Sequence, residues 1–184
     1  MPRKLAAQSG EKRMERISAL GLDVGKKRVG VAGCDGTGLI ATGIATIERT
    51  SFERDMEQLR RLVEERQVQV LVVGLPYAMD GTLGFQAQQV QKFATRVAAA
   101  LQLPLEYMDE RLTSYEAEEL LKTERRSLSQ NKPLIDRKAA ALILQRWLDE
   151  RRAANKVAKQ LVETTYIASG AQIQTQAETS EIPN

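Results

Sequence analysis

Two spacings of apolar residues alternate along the chain. Residues 16–24 (RISALGLDV) and 28–35 (RVGVAGCD) alternate apolar positions with small or polar ones, the period of a strand with two unlike faces. A third such run, 39–47 (LIATGIATI), follows Gly36-Thr37-Gly38, a strong turn signal. The short connections predict an antiparallel meander, because parallel pairing needs long crossovers. From Ser51 the period lengthens. Phe52, Met56, Leu59, Leu62 and Val63 fall on one face of a helix over 52–67, with Ser51 as its N-cap. Residues 68–76 (VQVLVVGLP) form a continuous apolar run, expected of a strand covered on both faces.

A helix over 84–101 follows, with Val90, Phe93, Ala94 and Val97 on one side, then a short strand at 103–110 (LPLEYMDE). The pattern next predicts a helix at 114–124, a polar loop at 125–133 and a long helix at 134–152 (LIDRKAAALILQRWLDERR). Residues 1–15 read as a flexible basic arm. Periodicity fades after 152, so 153–184 is expected to be a disordered tail. The order β-β-β-α-β-α-β-α-α predicts one α/β domain over 16–152, a mixed sheet with helices on its faces.

Composition narrows the chemistry by what is missing. The chain has no histidine and one cysteine, Cys34. Histidine-dependent triads, cysteine-rich metal sites and disulfide frameworks are thereby excluded. No apolar stretch reaches the length of a membrane span and no signal-peptide core follows the N-terminus, so a cytoplasmic protein without a membrane partner is expected. The net charge is only +3, but Lys122, Arg125, Arg126, Lys132, Arg137 and Lys138 concentrate positive charge in one segment. An anionic partner fits that segment.

Three carboxylates fall at element boundaries. Asp23 ends the first strand, Glu110 follows the fifth, and Asp136 opens the last long helix. If strands one and four are central neighbours with strand five beside four, Asp23 and Glu110 emerge at one sheet end. A helix across that face would bring Asp136 to them. Converging acids repel, and a divalent cation held by oxygen ligands, magnesium or manganese, relieves that cost. Singly, each has a plainer reading: Asp23 as a turn residue, Glu110 as a surface ion pair with Arg111, Asp136 as a helix-start acid.

Four blocks in order, GLDVGKKRVGVAG, VVGLPYAMDGTLGFQAQ, YMDERLTSYEAEELL and IDRKAAALILQRWLD, resemble the bacterial YqgF family. Its members are Holliday-junction-resolvase-like proteins, also regarded as pre-16S ribosomal RNA nucleases. The resemblance spans about residues 16–150. It implies a ribonuclease H-like fold, a five-stranded mixed sheet whose first three strands are antiparallel, with helices on both faces. It also implies an acidic site of Asp23, Glu110 and Asp136, holding two magnesium or manganese ions for phosphodiester hydrolysis.

The family pattern extends to Gly21, Gly25, Arg28, Gly30, Arg111 and Thr113. Arg28 and Arg111 suit phosphate contacts or the orientation of neighbouring carboxylates. Gly25 suits close backbone approach, and Thr113, Arg137 and Lys138 complete the expected substrate contacts. Ala78 departs from the family, which commonly has asparagine there, and the loop before Asp136 is less lysine-rich than usual. The implied activity is processing of the 5′ end of pre-16S ribosomal RNA by a monomer or homodimer. A Holliday-junction-resolvase-like DNA endonuclease and a non-catalytic RNA-binding assembly factor are the alternatives. The Asp-x-Gly hairpin also resembles the phosphate loop of sugar-kinase and actin-like ATPases, but those need two such domains.

Overall fold

A computed structural model describes residues 16–78, 80–110 and 131–178. Five strands, β1 (Ala19–Val24), β2 (Arg28–Cys34), β3 (Ala41–Glu48), β4 (Val70–Leu75) and β5 (Leu105–Asp109), form one sheet in the order β3-β2-β1-β4-β5. The β1–β2 and β2–β3 pairs are antiparallel, whereas β1–β4 and β4–β5 are parallel. This is the mixed sheet expected, with β1 and β4 central. Helices α1 (Phe52–Arg66), α2 (Phe85–Leu101) and α3 (Lys132–Glu178) complete the described elements.

Strand alternation sorts the core into two layers. Leu20, Leu22, Val29, Val31, Leu71, Val73 and Leu75 pack under α1 and α2 against Met56, Leu59, Val90, Phe93 and Val97. Ala19, Ala32, Val70, Val72 and Met108 face the other way, toward Ala140, Ile143, Leu144, Trp147 and Leu148 of α3. β4 is buried along its whole length, as its unbroken apolar run requires. Ser51 caps α1 from an extended conformation, its hydroxyl accepting from the Arg54 amide.

Polar contacts fix α3 over the sheet. At the free edge of β3, Gln145 accepts from the Ala41 amide (2.8 Å) and donates to the Leu39 carbonyl (3.0 Å). Thr46 donates to the Pro133 carbonyl (2.7 Å), and Trp147 donates its indole N–H to Glu106 of β5 (2.6 Å). These contacts tie α3 to both edge strands, so its long axis and its register across the sheet are set together.

The tail departs from the sequence expectation. α3 runs on to Glu178 rather than giving way to disorder at 153. Over the part of the extension whose burial is described, residues 153–162 and 164, no buried face is present: Val157, Leu161 and Val162 are more than half exposed. The hydrophobic stripe ends near Arg152, which is why periodicity fades while the helix continues. The arm at 1–15 and the helix expected at 114–124 lie outside the described residues.

Candidate active site

Asp23 is the fifth of six residues in β1, on the face that α3 covers. Two glycines flank it. Gly30 of β2 is its cross-strand partner, and one step beyond the Leu22–Val73 pair of the parallel ladder lies Gly74 of β4. Cross-strand neighbours project to the same side about 5 Å apart, so each glycine leaves a gap beside the Asp23 side chain. The first is filled by the main chain of Asp136, the second by the side chain of Glu110. A Cβ on Gly30 would lie 2.0 Å from the Asp136 carbonyl oxygen, and one on Gly74 would lie 2.5 Å from Glu110 Oε1. The backbone of α3 thus rests directly on β2 at Asp136, while the Glu110 carboxylate folds back over β4. Asp136, Asp23 and Glu110 stand in a row across β2, β1 and β4.

The electrostatics follow from that row. Burial raises the Glu110 carboxyl to about 7, helped by the negative charges of Asp23 and then Asp109. Glu110 and Asp23 therefore repel across the gap. Asp136 is held differently: Arg28 donates from Nε to its Oδ2 at 2.5 Å, both side chains about four-fifths covered. The Arg28 guanidinium is held in its charged form chiefly by this bond. No three potential ligands are gathered as a ready-made metal site among the described residues. Asp23 and Glu110 face each other, and the third carboxylate is turned toward a guanidinium. The donor set is all oxygen, which fits a hard divalent cation. Cys34, the one thiol, lies at the other end of its strand, four residues beyond Gly30.

The predicted residues divide as follows. Asp23 and Glu110 are close enough to interact, whereas Asp136 is paired with Arg28 and the three are not gathered into one cluster among the described residues. Arg137 lies half-buried with its backbone and Cβ against Gly43, and Lys138 is half-buried next to it. Arg111, Thr113 and most of the basic segment at 122–138 lie outside the described residues. Three contributors escape motif reading. Asp109 adds to the charge on Glu110. Gly74 makes room for Glu110. Arg49 donates from Nη1 to the Gly25 carbonyl (2.8 Å), bracing the turn that follows Asp23. A glycine in the middle of a fully apolar strand was the available signal for Gly74.

A family model described as Holliday junction resolvase, RuvX, matches residues 17–150. The chain belongs to the RuvX family. This is the family whose motifs the sequence resembles under the name YqgF. RuvX relatives match closely: a protein of Trichormus variabilis named "Putative pre-16S rRNA nuclease" is 75% identical over 136 residues, covering 74% of this chain and 90% of its own. One of the same name from Crocosphaera subtropica is 69% identical over 141 residues, covering 77% and 99%. Among solved structures, Thermus thermophilus RuvC in complex with a Holliday junction substrate aligns with a TM-score of 0.48 and 12% identity, covering 74% of this chain and 96% of that one. The RuvX match ends at residue 150, close to where the packed part of α3 ends.

Proposed function

We propose that this RuvX protein is a metal-dependent nuclease that hydrolyses phosphodiester bonds, with pre-16S ribosomal RNA as its substrate. The observation that carries the reading is the Gly74 gap beside Asp23, occupied by the Glu110 carboxylate, with α3 seated on Gly30 through the backbone of Asp136 on the other side. Neighbouring carboxylates repel, and an oxygen-only donor set of this kind suits a divalent cation.

Asp23 and Glu110 are the residues that would hold magnesium or manganese, with Asp136 joining them on release from Arg28. When bound, the cation supplies charge neutralisation and polarisation of a phosphoryl oxygen. The chain's own groups do the rest. β1 holds Asp23 rigidly, which a loop would not. With its carboxyl raised to about 7, Glu110 is only partly ionised near neutral pH, and holding a cation would favour its ionised form. Arg28 steers Asp136 and, once free, presents a planar fork of N–H donors to a phosphate. Lys26 and Lys27, exposed on the β1–β2 turn, add positive charge where the phosphate chain approaches.

The family description favours a second substrate, the four-way DNA junction. Cleavage of labelled pre-16S RNA and of a labelled junction, each with magnesium, manganese or EDTA, decides between them. Metal-dependent trimming of the RNA is expected. Cutting of the junction alone would assign the resolvase activity instead. Salt-sensitive RNA binding without cleavage under any metal would refute the nuclease and leave an assembly factor.

A further inference from the structure

We infer that the outer stripe of α2, together with Arg49, is a track for a single strand of nucleic acid leaving the acidic site. It rests on the nuclease reading above and adds the path and strandedness of the substrate. Phe85, Gln88, Gln89, Lys92, Thr95 and Arg96 recur at spacings of three and four, one exposed face of the helix. The stripe spans roughly 16 Å from Phe85 to Arg96 at the rise of an α-helix. Beside it is a groove of about 690 Å³ lined by Arg49, Gln88, Gln89, Lys92 and Arg96, with no acidic side chain among its described lining residues. Three cations and several amides suit a chain of phosphates and sugars better than a small apolar ligand.

Arg49 links the groove to the sheet end that carries the acids, around the edge from the face on which they lie. Arg49 follows β3, its amide donates to the Lys27 carbonyl (2.9 Å), and its guanidinium donates to Gly25, two residues after Asp23. The same guanidinium covers the Phe93 ring at 4.4 Å, and Arg96 covers Phe52 at 3.9 Å. These two arginines are thereby held flat on aromatic rings. Because α2 follows the C-terminal end of β4, its first turns lie toward the sheet end that carries the acids, packed on the opposite face through Ala87 and Val90. A strand passing from Asp23 over Lys26 and Lys27 reaches Arg49 and then α2.

Phe85 gives the track its preference. It is 75% exposed, the most exposed large apolar side chain among the described residues, and stands at the start of the stripe. An aromatic presented to water beside a cationic groove is the combination used to grip unpaired bases, which stack on the ring while cations follow the backbone. A duplex keeps its bases stacked internally and gains nothing from Phe85.

The test uses the full chain in EDTA, so that binding is read without cleavage. The probe is a fluorescein-labelled single strand of about 12 nucleotides, in RNA and DNA versions, with the matched duplex as comparison, read by anisotropy over a salt series. Phe85→Ala should weaken single-strand binding roughly tenfold and leave duplex binding unchanged, with Phe85→Trp restoring it. Lys92→Gln should lower the slope of log affinity against log salt by about 0.7. Either sugar showing these losses supports the track, and the tighter one names the strand. Wild-type binding that neither variant alters would overturn the track while leaving the nuclease standing. Failure of the wild type to bind any nucleic acid would instead refute the nuclease reading.

Discussion

Replacing Gly30 with alanine tests the central geometry with a single methyl group. The added Cβ would sit 2.0 Å from the Asp136 carbonyl oxygen and 2.5 Å from its carbon, whereas ordinary contact begins at 3.4 Å. The atoms it meets are helix backbone, so no side-chain rotation can relieve the overlap. α3 must retreat from β2 by about 1.4 Å, the difference between those contacts, or pivot on its ties at Thr46 and Gln145. Overpacking of this kind costs about 1–3 kcal/mol, and for a domain of this size that lowers Tm by roughly 3–10 °C. The retreat also carries Asp136 away from Asp23. A displacement near 1 Å at a reacting centre costs on the order of 100-fold in rate. Thermal unfolding and single-turnover cleavage of Gly30→Ala measure the two effects separately. Gly36→Ala is the matched comparison, because a Cβ there meets nothing within 4 Å; it should stay within about 0.5 kcal/mol of wild type. A Gly30→Ala protein with wild-type Tm and wild-type cleavage would refute the argument that α3 seats Asp136 through that gap.

Other perturbations probe the charges. With Glu110 at about 7 in the folded chain against an ordinary 4.5, the fold binds an extra proton between those values. Its stabilising effect is complete below pH 4.5 and lost as pH rises through 7, so Glu110→Gln in EDTA should be more stable than wild type at pH 8 by up to roughly 3 kcal/mol, and near wild type at pH 4. Denaturant melts at the two pH values measure this, and a gap that does not grow with pH would count against the facing carboxylates. Removing the guanidinium in Arg28→Gln frees Asp136 from its ion pair, so manganese should bind several-fold tighter while RNA binds more weakly. Isothermal titration reads the first and anisotropy the second; unchanged metal affinity would mean that Arg28 does not compete for Asp136.

Much of this site was legible before any coordinates because its residues sit at element boundaries. The change of period after Val24 and at the β5 terminus marked Asp23 and Glu110, and the long apolar stripe after Asp136 marked α3. What the pattern could not give was the means of approach. The row of acids depends on Gly30 and Gly74 lying on either side of Asp23, and cross-strand partners are invisible until register is known. The pairing of Arg28 with Asp136 spans 108 positions and follows from that same register. Gln145, which ties α3 to the edge of β3, reads in sequence as an ordinary polar residue of an amphipathic helix. The continuation of α3 past Arg152 is hidden for the opposite reason: amphipathic spacing reports a buried face, and Val157, Leu161 and Val162 are exposed.

The most direct measurement is single-turnover cleavage of labelled pre-16S RNA by wild type and Asp23→Asn, with magnesium and with EDTA, beside anisotropy for binding. Asparagine keeps the shape of the side chain and removes its charge. Magnesium-dependent cleavage by the wild type, lost by at least about 100-fold in the variant with RNA binding retained, is the result the strand-borne carboxylate predicts. Equal magnesium-dependent cleavage by the two proteins would contradict it.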